Sequence, residues 1–268
     1  MPTPSLLQRA KGHLLVDLKR RGAETVLSDL RQDGCMKARF PRPVDWTEIV
    51  TLNSSGGIAG GDIVSSSFRV RENASATFAS QAAERLYRAL PADPPSHIRT
   101  TIKIEPGASA EWLPQETILF DQCAVDRVLD VEVANSAWFL GLETLVFGRT
   151  AMGESVTTAR IADTIRIRHN GKLILHDAIR INGEVASTLA HQATAAGATS
   201  ITTLILVSDT AAAQTDALRE ALAPHNAGVS AWNNMLVTRI AAANPRPAII
   251  EALKILRNGR ALPRVWHC

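Results

Sequence analysis

The segment Phe68-Arg69-Val70-Arg71-Glu72-Asn73-Ala74-Ser75-Ala76-Thr77-Phe78 alternates apolar and polar residues on both sides of a Glu-Asn pair. Alternation at period two puts one face of the chain in a core and the other in water, the pattern of a half-buried strand. It returns 34 positions later as Ile102-Lys103-Ile104-Glu105-Pro106-Gly107-Ala108-Ser109-Ala110-Glu111-Trp112, and in shorter form as Val131-Glu132-Val133-Ala134-Asn135-Ser136-Ala137-Trp138. Ile165-Arg166-Ile167-Arg168, before His169-Asn170-Gly171, repeats the first half alone. Asn and Gly accept the positive φ of a tight turn, so each junction reads as the bend of a hairpin. Phe68 to Ile102 and Phe78 to Trp112 share the offset of 34, whereas Ala110 to Ala137 is 27, so the unit recurs without a fixed period. Hairpins stacked in an irregular β-solenoid or layered sheet give this pattern, because each unit buries its apolar face only against its neighbour. A plain β-sandwich is the alternative.

Strand periodicity holds from about residue 13 to 208, and the character then changes. Asp209-Thr210 reads as a cap for a helix over Ala211 to Leu222 that Pro224 ends, Met235 to Ile240 as a strand, and residues 247–257 as a second helix stopped by Asn258-Gly259. Ile249, Ile250, Leu253 and Leu256 line one face of that second helix. No long Pro- or Ser-rich linker intervenes. The expectation is one mainly β domain over residues 1–268, β-rich over 13–208, with two C-terminal helices within 209–260.

With 268 residues the chain can bury a sizeable core unaided. Hydrophobic residues make up 46% and charged residues 21%, which sets aside disorder, collagen and coiled coil. Lys and Arg number 29 against 26 Asp and Glu, with no block of five like charges, so neither nucleic acid nor an anionic membrane has a footprint. Leu14-Leu15-Val16 is too short for a secretory apolar region, and Ile201 to Val207 falls well short of the roughly 20 residues of a membrane helix. Cys35, Cys123 and Cys268 show no zinc spacing and fit a reducing compartment, so the chain reads as cytoplasmic.

The most conspicuous motif is Leu52-Asn53-Ser54-Ser55-Gly56-Gly57-Ile58-Ala59-Gly60-Gly61-Asp62. It lacks the glycine spacing of a dinucleotide fingerprint, and Asp62 stands where a P-loop needs lysine, so Gly56, Gly57, Gly60 and Gly61 read as a structural bend beside a site acid. Ser80-Gln81-Ala82-Ala83-Glu84-Arg85-Leu86-Tyr87-Arg88 holds the only tyrosine, flanked by arginines suited to a partner's carboxylates. Glu116, in Glu111-Trp112-Leu113-Pro114-Gln115-Glu116, adds a carboxylate near a rigid proline. Glu143 interrupts the apolar run Gly141 to Phe147, so it should be paired or functional, with Arg149 and Arg160 as the nearest partners and Glu154 beyond the turn. No nucleophile elbow, H-E-x-x-H or other strong catalytic motif occurs, and His267-Cys268 is a weak soft-metal pair.

Taken in order, Asn53 to Asp62, Ser80 to Arg88, Glu111 to Phe120, Gly148-Arg149-Thr150-Ala151-Met152-Gly153-Glu154 and the terminal Leu262-Pro263-Arg264-Val265-Trp266 resemble the motifs of the urease accessory protein UreD (UreH) family over roughly residues 13 to 266. Ala79-Ser80 stands where that family often has two threonines, and Arg85 where lysine is frequent. The resemblance implies a solenoid-like β stack with two C-terminal helices and a maturation factor without turnover of its own. It further implies apo-urease and UreF as partners, the GTPase UreG engaged through UreF, and only transient nickel, with no tightly bound cofactor. Asp62, Glu116, Glu143 and Glu154, acids in or beside the matching motifs, become candidates for a nickel path. Arg85, Tyr87, Arg88, Arg149, Arg264 and Trp266 become candidates for partner contact. The competing readings are a metal-assisted hydrolase using Asp62 and Glu116 and a purely structural scaffold.

Overall fold

The computed structural model describes residues 8–149 and 153–267. Strands β1 (Lys11–Arg21), β2 (Glu24–Gly34), β5 (Ile63–Val70), β8 (Ser96–Ile104), β11 (Ala124–Val133), β13 (Thr158–His169) and β14 (Lys172–Glu184) form one sheet, in the order β14-β13-β11-β8-β5-β1-β2. A second sheet runs β16-β17-β15-β12-β9-β6-β4-β3. Its strands are β3 (Met36–Arg39), β4 (Thr47–Asn53), β6 (Ser75–Ser80), β9 (Ser109–Leu113), β12 (Trp138–Phe147), β15 (Ser200–Val207), β16 (Ala227–Trp232) and β17 (Met235–Ala242). Two short strands, β7 (Glu84–Leu86) and β10 (Thr117–Leu119), continue it beyond β12. The fold is mainly β, as expected, and no closed barrel forms.

The hairpin expectation is corrected. Of the four turns read from sequence, His169-Asn170-Gly171 alone joins antiparallel neighbours. The other three carry the chain across to the opposite sheet, so β5 leads into β6, β8 into β9 and β11 into β12 without pairing. Neighbouring strands there are parallel, and parallel neighbours need a long crossover rather than a tight turn. The 34-residue offset therefore encodes lateral register: Phe68 lies beside Ile102, and Phe78 beside Trp112. Asn73, Gly107 and Ser136 supply the positive φ at the three crossings.

Between the sheets lies one core, with Leu14, Phe68, Phe78, Ile102, Val131 and Phe139 buried in it. A second core fills the other face of the β12 sheet, where Leu140, Leu142, Leu204 and Leu206 meet the helices. Strand β12 is thus covered on both faces, which explains its nearly unbroken apolar sequence. Three α-helices occur among the described residues: α1 (Val185–Ala190), α2 (Thr215–Ala221) and α3 (Arg246–Leu256). The last two answer to the expected C-terminal pair. α1 is six residues long and buries only Val185 and Leu189, too little for a helical period to register. Residues Ala211–Gln214 form a 3-10 turn rather than the start of α2, and Thr210 makes no side-chain cap. Asp209 instead accepts a hydrogen bond from Asn234 at 3.2 Å. No described helix is long and apolar enough to cross a membrane.

The chain beyond α3 is clamped to the β12 sheet by Glu111, which is fully buried. Its carboxylate accepts from Arg257 Nε and Nη2 at 2.9 and 3.0 Å, from Arg260 Nη2 at 2.7 Å and from Thr77 Oγ1 at 2.6 Å. The Arg260 guanidinium also stacks 3.9 Å over Trp46, and Trp266 donates its indole N–H to the Leu113 carbonyl at 3.0 Å. Removing one member of such a buried pair strands the other's charge, at about 3–5 kcal/mol. Glu111→Ala is therefore expected to lose stability of that order in denaturant unfolding, and Glu111→Leu with Arg257→Met to lose less; equal losses would contradict a buried ionic clamp.

Candidate functional site

The space between the sheets is apolar along its length, with a few polar side chains gathered at the end away from the crossings. Near the crossings, the Phe68 ring sits 4.5 Å from Phe78 and 5.5 Å from Trp112. At the other end a cleft of about 100 Å³ opens, lined by Ser66, Thr100 and Arg127 from the β11 sheet and by Thr51, Ser80, Glu84, Thr117 and Glu143 from the facing strands.

One cation organises this cleft. Arg127 on β11 lies in register beside Asp163 on β13 and grips it with two bonds, Nε to Oδ1 at 2.7 Å and Nη2 to Oδ2 at 2.9 Å. Its Nη1 crosses to the other sheet, reaching Glu143 Oε2 at 2.6 Å and Thr117 Oγ1 at 3.0 Å. Trp112 Nε1 donates to the remaining Glu143 oxygen at 2.8 Å. The expected partners of Glu143 are corrected accordingly. Arg149 pairs with Glu154 at 2.6 Å, and Arg160, three residues from Asp163 and so on the opposite face of its strand, donates to the Asp93 carbonyl at 3.0 Å. Two carboxylates share a single guanidinium here. Burial pushes the Glu143 carboxyl above its ordinary range, with Arg127 opposing that shift.

Glu84 stands at the entrance. It lines both the inter-sheet cleft and a neighbouring one of about 180 Å³ that includes Asn53, Gln81 and Arg85. The glycine-rich loop holds β7 in place: Ile58 N–H donates to the Arg85 carbonyl and Tyr87 N–H to the Ile58 carbonyl, each at 2.8 Å. Close approach explains Gly57, since a Cβ there would fall 2.3 Å from the Tyr87 ring. The Tyr87 hydroxyl closes the arrangement by donating to the Gly56 carbonyl at 2.8 Å. Glu84 itself accepts only neutral donors, Asn53 Nδ2 at 3.3 and 3.4 Å and the Arg85 N–H at 3.2 Å. Burial pushes its carboxyl upward too.

The other candidate acids do not gather at this cleft. Asp62 is buried, but its two oxygens accept the Ala10 and Ala59 amides at 2.8 and 2.7 Å, closing the glycine-rich loop on itself. Glu116 lies 3.8 Å from Arg246, toward α3, and Glu154 is held by Arg149. The hydrolase reading is not favoured, because no group of three His, Cys, Asp or Glu side chains converges on a metal position among the described residues. Burial pushes the Cys123 thiol up to about 12, and Cys268 lies outside the described residues.

Comparison with known proteins assigns the chain to a family. The family model described as UreD urease accessory protein matches residues 10–267. The chain belongs to the UreD urease accessory protein family. A Urease accessory protein UreD from Dinoroseobacter shibae is 41% identical over 97% of this chain and 93% of the relative. Relatives of the same name from Rhizobium leguminosarum bv. trifolii and Rhodopseudomonas palustris are 38% and 37% identical, covering 97% and 96% of this chain and 96% and 93% of their own lengths.

Within this UreD-family chain, sequence reading found Glu143 and missed Arg127, Asp163 and Glu84. Arg127 shares the period of Val125 and Leu129, and Asp163 that of Ile161 and Ile165, so the strand period puts both on the core face, where the parallel register sets them side by side. Glu84 was visible inside the Ser80–Arg88 motif but gave no sign of facing a cavity. Of the partner-contact candidates, Arg85, Arg88, Arg149 and Arg264 are exposed and Tyr87 is half-buried, while Trp266 is buried in the second core. Arg127→Met leaves Glu143 and Asp163 without their cation, so the variant is expected to unfold more easily at pH 7.5. The deficit should narrow toward pH 5.5, because a folded-state carboxyl with a raised pKa takes up its proton there and sheds the stranded charge. A deficit unchanged across that range in thermal unfolding would show that charge is not what Arg127 offsets.

Proposed function

We propose that this chain is a urease maturation factor that binds apo-urease and UreF, engages the GTPase UreG through UreF, and supports nickel delivery, with the inter-sheet cleft as a route for the ion. Membership of the family supports the maturation role. The observation that carries the route is a cleft between the two sheets in which hydroxyls and two acids, Glu84 and Glu143, stand among apolar side chains. Nickel is borderline in softness and accepts carboxylate, imidazole, thioether and water. A route must attract the ion and also let it leave, which favours a few separated acids over a closed ligand cage. Glu143, already shared with Arg127, meets that requirement. Asp62, Glu116 and Glu154 are the further path candidates, with Asp62 acting through the loop it closes.

The exposed Arg85 and Arg88 offer donors for a partner's carboxylates, with Arg149, already paired with Glu154, and Arg264 as further contact candidates, and the cytoplasm is the setting that fits free thiols. The alternation of strands between two sheets is read as an irregular solenoid, a shape that presents long flanks to large partners.

Co-expression with the urease subunits and remaining accessory proteins tests the role. Omitting the chain is expected to abolish urease activity and nickel content, and the chain should co-purify with apo-urease. Glu143→Gln is expected to lower the nickel content of urease severalfold while co-purification is unchanged. Normal loading by that variant would remove the route from the proposal, and unchanged activation without the chain would remove the role.

A further inference from the structure

Two acids lie in one lateral row on the face of the second sheet that the chain end covers: Glu48 on β4 and Glu111 on β9 flank Thr77 on β6. Residues 258–267, which follow α3 and end in a 3-10 turn over Arg264–His267, cross this row as a strap. Donors are divided unequally between the two acids. Glu111 takes the Thr77 hydroxyl and the guanidinium groups of Arg257 and Arg260, while the remaining bonds of Arg257 go to the Arg260 and Ala261 carbonyls. Glu48, 4% exposed, accepts the Arg264 main-chain N–H, and its Oε1 has no hydrogen-bond partner. A carboxylate buried with one oxygen unmet is costly in its charged form and far less so once protonated.

Burial pushes the Glu48 carboxyl above its ordinary range, against the charges of Arg264 and Arg257 and the bond from the Arg264 amide. Arg260 stacks over Trp46, two residues before Glu48 on the same strand face, and toward β3 Arg39 stands beside Val50 and donates to the Ala38 carbonyl at 2.9 Å. Burial acts on Glu111 too, but the bonds from Arg257, Thr77 and Arg260 overcome it and hold that carboxyl below its ordinary range, so Glu111 stays ionised at neutral pH. Polar bonds also carry the rest of the strap: Gln115 Nε2 donates to the Val265 carbonyl at 2.8 Å, Arg246 Nη2 to the Trp266 carbonyl at 2.6 Å, and the Trp266 indole to Leu113. From this uneven division of donors we propose that residues 258–267 are a proton-sensitive strap. They close over the sheet while Glu48 carries a proton and open locally when it ionises, the two-sheet core staying folded. A group whose pKa is higher in the closed state than in the open one favours closure at low pH, and that contribution is lost as pH rises through the closed-state value. Opening uncovers the acid row and unties Gln115, which lines the inter-sheet cleft.

Hydrogen–deuterium exchange of the full chain at pH 6.0 and 8.0 tests this, read as protection factors so that the intrinsic pH dependence of exchange cancels. Above the Glu48 pKa the wild-type strap is expected to lose protection by up to about tenfold per pH unit, the limit for one linked proton, while β9 and β12 keep theirs. Glu48→Gln and Glu48→Leu carry no charge at that position. Both are therefore expected to hold the same strap protection at the two pH values, at least as high as that of the wild type at pH 8.0. Wild-type strap protection that is equal at both pH values, a loss spread evenly over both sheets, or an uncharged variant that keeps the wild-type pH dependence overturns the inference.

Discussion

A single guanidinium ties the two sheets together across an interior that is otherwise packed with apolar side chains. Arg127 meets Asp163 within its own sheet and Glu143 across the gap, so any slip of β11 against β13, or of one sheet over the other, breaks bonds to a buried charge. A pleated strand turned by one residue would carry Arg127 to the outer face and leave both acids alone. Ion pairs of this kind contribute little net stability against an apolar substitute, because desolvation offsets most of the attraction. Their geometric demand is what matters here. Parallel strands of similar alternating sequence pair equally well in shifted registers by hydrophobicity alone, and the triad is compatible with one of them.

The same register argument explains why the fold was easier to read than the site. Phe68 with Ile102 and Phe78 with Trp112 announced a repeating β unit, and the offset of 34 turned out to be the lateral pairing itself. What the turns did was not legible. Asn73 and Gly107 permit a sharp bend, yet a bend sends the next strand back beside its predecessor or over to an opposing sheet with equal ease, and long-range pairing decides. Glu143 was recognisable because it interrupts an apolar strand. Arg127 and Asp163 stand at core-face positions of their alternating strands, but alternation does not show that the two meet, which the pairing of β11 with β13 decides.

The glycine-rich loop and the terminal Trp266 show a second limit. Their residues stand out in the sequence, and their roles prove to be positional: Gly57 lets the loop lie against Tyr87, Asp62 closes that loop through backbone amides, and Trp266 seats the tail on Leu113. Glu84, on the strand that this loop holds, lines the inter-sheet cleft. A conspicuous motif thus fixes the position of a residue well removed from it, because rigid backbone pairing transmits one to the other.

The distribution of counter-charges then separates Glu111 from the acids of the inter-sheet cleft. Glu111, with two arginines, is fixed, and a cation arriving there would have to displace both. Glu143 shares one arginine with Asp163, so the pair of acids retains an excess of negative charge in a cleft of low polarity. Glu84 makes no ion pair among the described residues and feels the Arg85 charge at longer range. The acids therefore differ in how completely their charge is compensated. On the proposed route a cation would meet Glu143 already bonded to Arg127 and would compete with that guanidinium for the carboxylate.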